Sequence, residues 1–441
     1  MTNEKSVKAT STRQALFAVL LVIVLILAAW VRFFNIGWDQ GTHLHPDERY
    51  LTMVASAIRF PSELSAGNRN ALCSSSNTCL NLYWNSRQSP LNPANYDQYA
   101  NYVYGTIPLF LTRATGSLLD TACSITGDMT HPSLMRYFAT GLRQLVLGTN
   151  EPCYQGHYTG YGGLHLVGRA LSALADLCTL TGLVLMTRAL YGDRTAILAG
   201  LLYAFAVLPI QHAHFFVVDS FATVFVVWSL YFCVMAYQRH TPLFLIGAGI
   251  FTGLAVASKI SVWPLAGIVG LTGLFLYIND APVPESDRLN QSFAIIFTLM
   301  LSGLCAAIAF RVGQPYAFEG PGFFDVKLNP NWLITMKDIR ELMSGARDVP
   351  FGHQWANRMP VVFPFRNMIF WGLGIPLGLT AWIGWGTLGW QIWKKVQFEN
   401  AILWTWATVF FFYQSTQWVK SMRYLLPIYP VFAILAAWVL V

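Results

Sequence analysis

The densest group of chemistry-bearing side chains is His43-Leu44-His45-Pro46-Asp47-Glu48-Arg49-Tyr50. A carboxylate there can act as general base on an acceptor hydroxyl or bind a divalent metal. The same residues also spell a helix start, because Pro suits the first helical position and acidic residues suit the first turn. Adjacent helical residues point about 100° apart, so Asp47 and Glu48 cannot both face one substrate atom. One is expected to face a site and the other to orient a partner.

Cations stand elsewhere in the chain. Lys259 sits between two apolar runs in Ala257-Ser258-Lys259-Ile260-Ser261. An ammonium at the edge of hydrocarbon either snorkels to water or meets an anion, for which a lipid phosphate qualifies. Lys420 and Arg423 head the last apolar run, in Lys420-Ser421-Met422-Arg423-Tyr424. His212, His214 and Asp219 have spacing that could supply metal ligands. The alternative is that Asp219 caps a helix starting at Ser220 while the histidines sit wet at an interface. A divalent metal is left open.

The elements that must position these residues are apolar. Of 441 residues, 55% are hydrophobic and 11% charged, and the mean hydropathy is +0.45, too little charge for a soluble protein of this length. The net charge of +7 is scattered over loops, with no basic run, so anionic headgroups fit as partner and nucleic acid does not. The expected fold is all-α, a polytopic membrane protein of about ten transmembrane helices forming one domain over 1–441. The first span is Ala15 to Phe34, retained rather than cleaved as a signal. Further spans are expected near 165–190, 195–213, 219–237, 243–258, 260–278, 292–312, 367–392, 400–416 and 424–441.

Two long segments, 35–164 and 313–366, interrupt this pattern. Lys5, Lys8 and Arg13 place the amino terminus in the cytoplasm by the positive-inside rule, and Arg188, Arg194, Arg239, Arg288, Lys394 and Lys395 then fall in short cytoplasmic loops. Both long segments become extracytoplasmic loops of a cell (plasma or inner) membrane protein, although 313–366 holds six basic residues. By alternation, Asp47, His212, Asp219, Lys259 and Arg423 share one side. Cys73, Cys79, Cys123 and Cys153 all lie in the first loop and are disulfide candidates, with Cys73–Cys79 and Cys123–Cys153 one of three connectivities. Tyr96, Tyr99 and Val103 fall on one helical face, as expected for interfacial helices in that loop.

An acidic pair early in the first outer loop, many spans and a late Arg-Tyr-Leu-Leu-Pro-Ile-Tyr-Pro together resemble the GT-C glycosyltransferases. Within them the match is to the protein O-mannosyltransferase and lipid A aminoarabinose transferase branch. His165-Leu166-Val167-Gly168-Arg169-Ala170-Leu171-Ser172 and Gly253-Leu254-Ala255-Val256-Ala257-Ser258-Lys259 are similar too. The resemblance implies a polyprenyl-phosphate sugar donor and a lipid, glycan or protein acceptor on the extracytoplasmic face. It implies Asp47 as catalytic base with Glu48 beside it, and Lys259 and Arg423 as cations on the donor phosphate. His45, Asp219 and Tyr424 complete the donor-binding candidates. Some members continue into a further domain, whereas this sequence ends at Val441 inside an apolar run.

Two rivals belong to other classes. A transporter predicts ionisable groups at mid-membrane and paired halves, but the polar residues gather toward one face and no repeat is seen. A non-catalytic structural subunit of a membrane complex would keep the fold while losing the chemistry, yet Asp47, Lys259 and Arg423 are all present.

Overall fold

The computed structural model describes residues 2–64, 79–127, 156–279 and 285–441, with single positions at 134, 137, 140, 141 and 144. It is helical, with no strand among the described residues beyond an isolated bridge between Phe318 and Leu328. Helices suit a chain this apolar, because in lipid each backbone polar group must be satisfied within its own segment.

Six helices are long and apolar enough to cross a membrane: Thr12–Phe33, Tyr161–Tyr191, Val218–Gln238, Ile260–Ile278, Leu289–Gly313 and Met422–Leu440. Asp193–Ala204 and Val207–Ala213, bent by 59° at their break, make a seventh if taken as one span. The expectation of about ten counted three more apolar runs, which are also helical. Phe244–Ser258 is only 15 residues long, and Ile375–Lys394 and Phe398–Ser415 do not pass on length and hydropathy together. Tryptophan explains part of this: Trp382, Trp385, Trp390 and Trp393 make Ile375–Lys394 broad but only weakly hydrophobic.

Burial orders the helices. Val218–Gln238 and Met422–Leu440 are central, with 78% and 72% of their windows buried, whereas Thr12–Phe33 and Leu289–Gly313 are peripheral at 17%. Small residues allow the closest approach: a Cβ on Gly249 or Gly253 would collide with the Ser302 or Ala306 carbonyl of the helix Glu285–Gly313.

Two ends of the bundle differ in chemistry. At one end Arg13 and Arg188 both bind Asp193, at 2.7 and 2.8 Å, and Tyr191 donates to Asn400. At the other, the carbonyl of Phe34 meets His214, Thr106 bonds to Gly313, and Val361 donates to Ser415. The polar residues singled out above are at this second end.

The first long segment folds as the helices Pro46–Ala57, Cys79–Trp84 and Thr106–Gly127 joined by short turns. The helix expected through Tyr96, Tyr99 and Val103 is instead a pair of 3-10 turns, Pro93–Asn95 and Asp97–Tyr99, followed by irregular chain. Asn92 caps the first turn, and Gly105 stops helix propagation until Thr106. The tyrosines cluster by ring contact instead: Tyr50 lies 6.1 to 6.2 Å from Tyr99, Tyr102 and Tyr104. Cys79 and Cys123 each take part in a disulfide. Cys73 and Cys153 lie outside the described residues, as does the pairing expected for them.

Candidate functional site

Pro46 opens a helix, as its position suggests, and His45 caps it by accepting the Glu48 N–H at Nδ1, 3.4 Å away. The two carboxylates then separate. Asp47 turns toward the last span and forms an ion pair with Arg423, the two side chains 16% and 21% exposed. Glu48 turns into the protein and is wholly buried.

Glu48 accepts two N–H bonds from Arg169, at 2.5 and 3.0 Å, and the backbone N–H of Phe216 at 2.8 Å. Arg169 also donates twice to Asp39, at 2.8 and 2.9 Å, and to the Ile36 carbonyl. One guanidinium therefore ties together the loop after the first span, the helix Pro46–Ala57 and the chain before Val218. Burial tends to raise the Asp39 pKa, but the hydrogen bonds and charge of Arg169 outweigh it and hold the carboxyl at about 2. Glu48, expected beside the reacting atoms, is thus a member of the frame that orients Asp47.

Lys259 follows the end of Phe244–Ser258 in extended backbone, and its ammonium lies 2.5 Å from Asp219 Oδ1. Asp219 does not cap a helix starting at Ser220: the helix begins at Val218, leaving Asp219 in its first turn and its carboxylate free for Lys259. Tyr424 joins the two ion pairs, its ring 4.2 Å from Lys259 Nζ and 5.3 Å from the Arg423 guanidinium. His45 is near both carboxylates, and burial lowers its pKa while Asp47 opposes that shift.

Tyr104 is a member that spacing did not reveal. It lies close to Asp47, and burial followed by the Asp47 charge pushes its pKa up. Gly105 allows this placement, because any Cβ there would strike the Ala257 and Ser258 carbonyls just before Lys259. Arg169 and Asp39 were likewise not singled out as orienting residues, since no local pattern links positions so far apart.

His212 is buried and shares the electrostatic surroundings of Asp219, Arg423, His45 and Lys259. His214 goes elsewhere, with ring nitrogens on the carbonyls of Ile210 at 2.8 Å and Phe34 at 3.0 Å. The His212–His214–Asp219 trio therefore does not converge, and among the described residues no three His, Cys, Asp or Glu side chains are placed to hold a metal ion. Lys420 is buried with its ammonium on the Trp418 carbonyl at 3.1 Å, apart from the cluster.

Six of the seven expected site residues, Asp47, His45, Lys259, Asp219, Arg423 and Tyr424, thus meet at one end of the bundle. The arrangement sets two carboxylates, Asp47 and Asp219, each against a cation that still has N–H donors to spare.

Comparison with known proteins agrees with the resemblance read from the motifs. Residues 161–309 match the dolichyl-phosphate-mannose-protein mannosyltransferase family. No curated protein matches the sequence closely enough to count. Among solved structures, the fold is similar to the apo oligosaccharyltransferase of Archaeoglobus fulgidus, with 14% identity over 96% of this chain and 50% of that one, TM-score 0.52. It is also similar to ArnT of Cupriavidus metallidurans bound to undecaprenyl phosphate, with 16% identity over 98% of this chain and 60% of that one, TM-score 0.53. A third is the A. fulgidus oligosaccharyltransferase AglB with an inhibitory peptide and a dolichol-phosphate, at 14% identity, 96% and 50% coverage and TM-score 0.50. The chain spans about half the length of the first and third and 60% of the second.

Proposed function

We propose that this multi-pass membrane protein is a glycosyltransferase that moves a sugar from a polyprenyl-phosphate donor to an acceptor by inverting single displacement. The observation that carries the proposal is the meeting of Asp47 with Arg423 and Lys259 around Tyr424. The family matched over 161–309 and the lipid phosphates held by the similar structures favour the same donor class.

In this scheme Lys259 and Arg423 hold the donor phosphate. Arg423 gives one N–H to Asp47 and Lys259 one to Asp219, and their other donors take phosphate oxygens. As the glycosidic C–O bond breaks, charge builds on the departing phosphate, where fixed cations in a partly dry site act more strongly than in water. Asp47 takes the acceptor hydroxyl proton as the new C–O bond forms on the opposite face, a step in which a placed base contributes about 10²–10⁴-fold. Tyr104, whose buried phenol is coupled to Asp47, is placed to steady that carboxylate's orientation.

The orientation we assign puts the amino terminus in the cytoplasm and this cluster on the extracytoplasmic side of a plasma or inner membrane. Support comes from Arg13, Arg188 and Lys394 at the opposite end and from disulfide-bonded Cys79 and Cys123 in the first loop, since such bonds persist in oxidising compartments.

The test is transfer in proteoliposomes from radiolabelled polyprenyl-phosphate sugars to lipid, glycan and peptide acceptors. Wild type should release polyprenyl phosphate and label an acceptor, and Asp47→Asn should stop both while leaving the melting temperature near wild type. Undiminished turnover by Asp47→Asn removes Asp47 as base. A wild type inert toward every donor favours the structural-subunit reading.

A further inference from the structure

The chain that follows the span Leu289–Gly313 doubles back on it. Arg311, in the last turn of that span, donates to the carbonyls of Pro315 and Gly322 at 2.7 Å and of Phe323 at 3.1 Å. The Trp84 and Phe318 rings lie 4.9 and 4.8 Å from its guanidinium. Two backbone bonds close the returning loop, from Glu319 N–H to the Lys327 carbonyl and from Asn329 N–H to the Ala317 carbonyl, both 2.9 Å. At the tip, Gly322 N–H donates to Asp325 at 2.7 Å. Phe323 packs inward, 5.1 Å from Trp84, whereas its neighbour Phe324 is 88% exposed. Val326 and Leu328 are exposed as well. The loop is thus tied down at several points, yet it presents apolar side chains outward.

The span sets the depth of this loop. Its 25 residues reach about 37 Å at 1.5 Å each, against a hydrocarbon core of about 30 Å, so its last turn stands among the headgroups. Leu304, Ile308 and Val312 keep one exposed stripe up to that turn, as expected of a helix that faces lipid. Through Arg311 the loop is held at headgroup level beside that stripe. The helix Pro330–Ser344 follows, with Leu333 and Ile334 exposed near its start and Lys337 and Arg340 farther along the face of Leu333. Its other face lies beside the candidate site. Trp332 is 6.4 Å from Phe310, and Trp332 and Met336 share a small space with Tyr104 and Ile260.

We infer that Phe324, Val326, Leu333 and Ile334 enter the interfacial layer of the phospholipid leaflet at the Asp47 end and anchor the helix Pro330–Ser344 to the bilayer surface. The loop adjoins the lipid-facing stripe at the depth where apolar and aromatic side chains settle and long basic side chains reach up to water. The attraction is apolar rather than electrostatic. Residues 318–347 hold four Lys or Arg and four Asp or Glu, and Lys327 and Lys337 already face Glu319 and Glu341. One helix thus carries lipid contact on one face and the neighbours of Asp47 and Lys259 on the other. The inference stands apart from the transferase reading, since it needs only the span and the loop tied to it.

The experiment uses the full chain in phosphatidylcholine nanodiscs doped with phosphatidylcholine that carries a photoreactive diazirine. In one probe the diazirine sits near the glycerol backbone, in the other at the acyl terminus, and labelled peptides are mapped by mass spectrometry. The shallow probe should label residues 318–341 about fivefold more than the terminal probe. Phe324→Gln with Ile334→Gln should cut that labelling about fivefold while leaving labelling of the span and the melting temperature in detergent near wild type, because both positions are exposed. Val326→Gln alone should give a smaller loss in the same direction, which keeps the test decisive if the double variant does not fold. Replacing half the lipid with phosphatidylglycerol, or raising the salt, should change the labelling less than about twofold. Three outcomes would overturn the inference. The first is no shallow labelling of 318–341, which would put water, another protein or a second copy of the chain on the tip. The second is labelling that the glutamine variants leave intact. The third is labelling that appears only with phosphatidylglycerol, which would make the contact electrostatic.

Discussion

Asp47 and Arg423 stand 376 positions apart and form an ion pair that remains partly open to water on both sides. The pair joins the start of the first helix after the first span to the start of the last span. An open pair is one a ligand can enter and rearrange. The neighbouring Glu48–Arg169–Asp39 group differs in this respect, because all three side chains are sealed from solvent. One position in sequence separates a carboxylate open to water from one that is sealed.

That contrast predicts opposite effects on folding. Glu48→Ala leaves Arg169 half-paired in a buried setting and should cost about 3–5 kcal/mol. Asp47→Asn should shift stability far less, since water reaches its site. Thermal unfolding in detergent checks both, and equal shifts would mean that the two carboxylates share one role.

Lipid phosphate should read the two cations. Arg423→Ala and Lys259→Ala each remove charge-assisted bonds worth about 1.5–3 kcal/mol, so binding of undecaprenyl phosphate should fall about 10- to 150-fold. Lys259→Arg should retain most of the affinity. Titration by native mass spectrometry decides this, and full affinity in both alanine variants would move the phosphate elsewhere.

Acid should act through Asp39. Its folded-state pKa of about 2 lies below the ordinary 3.8, so its stabilising share is complete above about pH 4 and disappears as pH falls through 2. The melting temperature should drop in that window, and Asp39→Asn should flatten the drop while lowering stability at pH 7. An unchanged acid limb in Asp39→Asn would assign the loss to other carboxylates. His45, held below its usual 6.5 by burial, resists protonation, so His45→Gln should leave the pH profile of activity between 7 and 8 unaltered.

A second buried pair supports the broken span. Arg32 binds Asp176 at 2.5 Å and also donates to the Ala204 carbonyl at 2.9 Å, where Asp193–Ala204 bends into Val207–Ala213. Tyr203 donates to the same Asp176 at 2.5 Å. Arg32→Met should destabilise by about 3–5 kcal/mol, and the double change Arg32→Met with Asp176→Leu should recover part of that. A double-mutant cycle measures the coupling, and strict additivity would deny it.

Much of the fold was legible along the chain, because apolar runs and loop charge are local properties. The first span, the apolar helices and the single end that collects Asp47, Asp219, Lys259 and Arg423 all followed from hydropathy and alternation. The helix start at Pro46 was legible too, since caps and first-turn acids act within a few residues. The 3-10 turns through Tyr96 and Tyr99 were not, because helical periodicity does not register how Asn92 and Gly105 interrupt it. Nor was the division between Asp47 and Glu48: helical geometry demands that the two diverge, but only the Arg169 guanidinium and the Phe216 N–H, both bonded to Glu48, decide which one turns inward. Tyr104 joins Asp47, and His214 leaves His212, for the same reason. Local order depends on neighbours in the chain, whereas the direction of a side chain at a shared site depends on distant segments whose approach no spacing records.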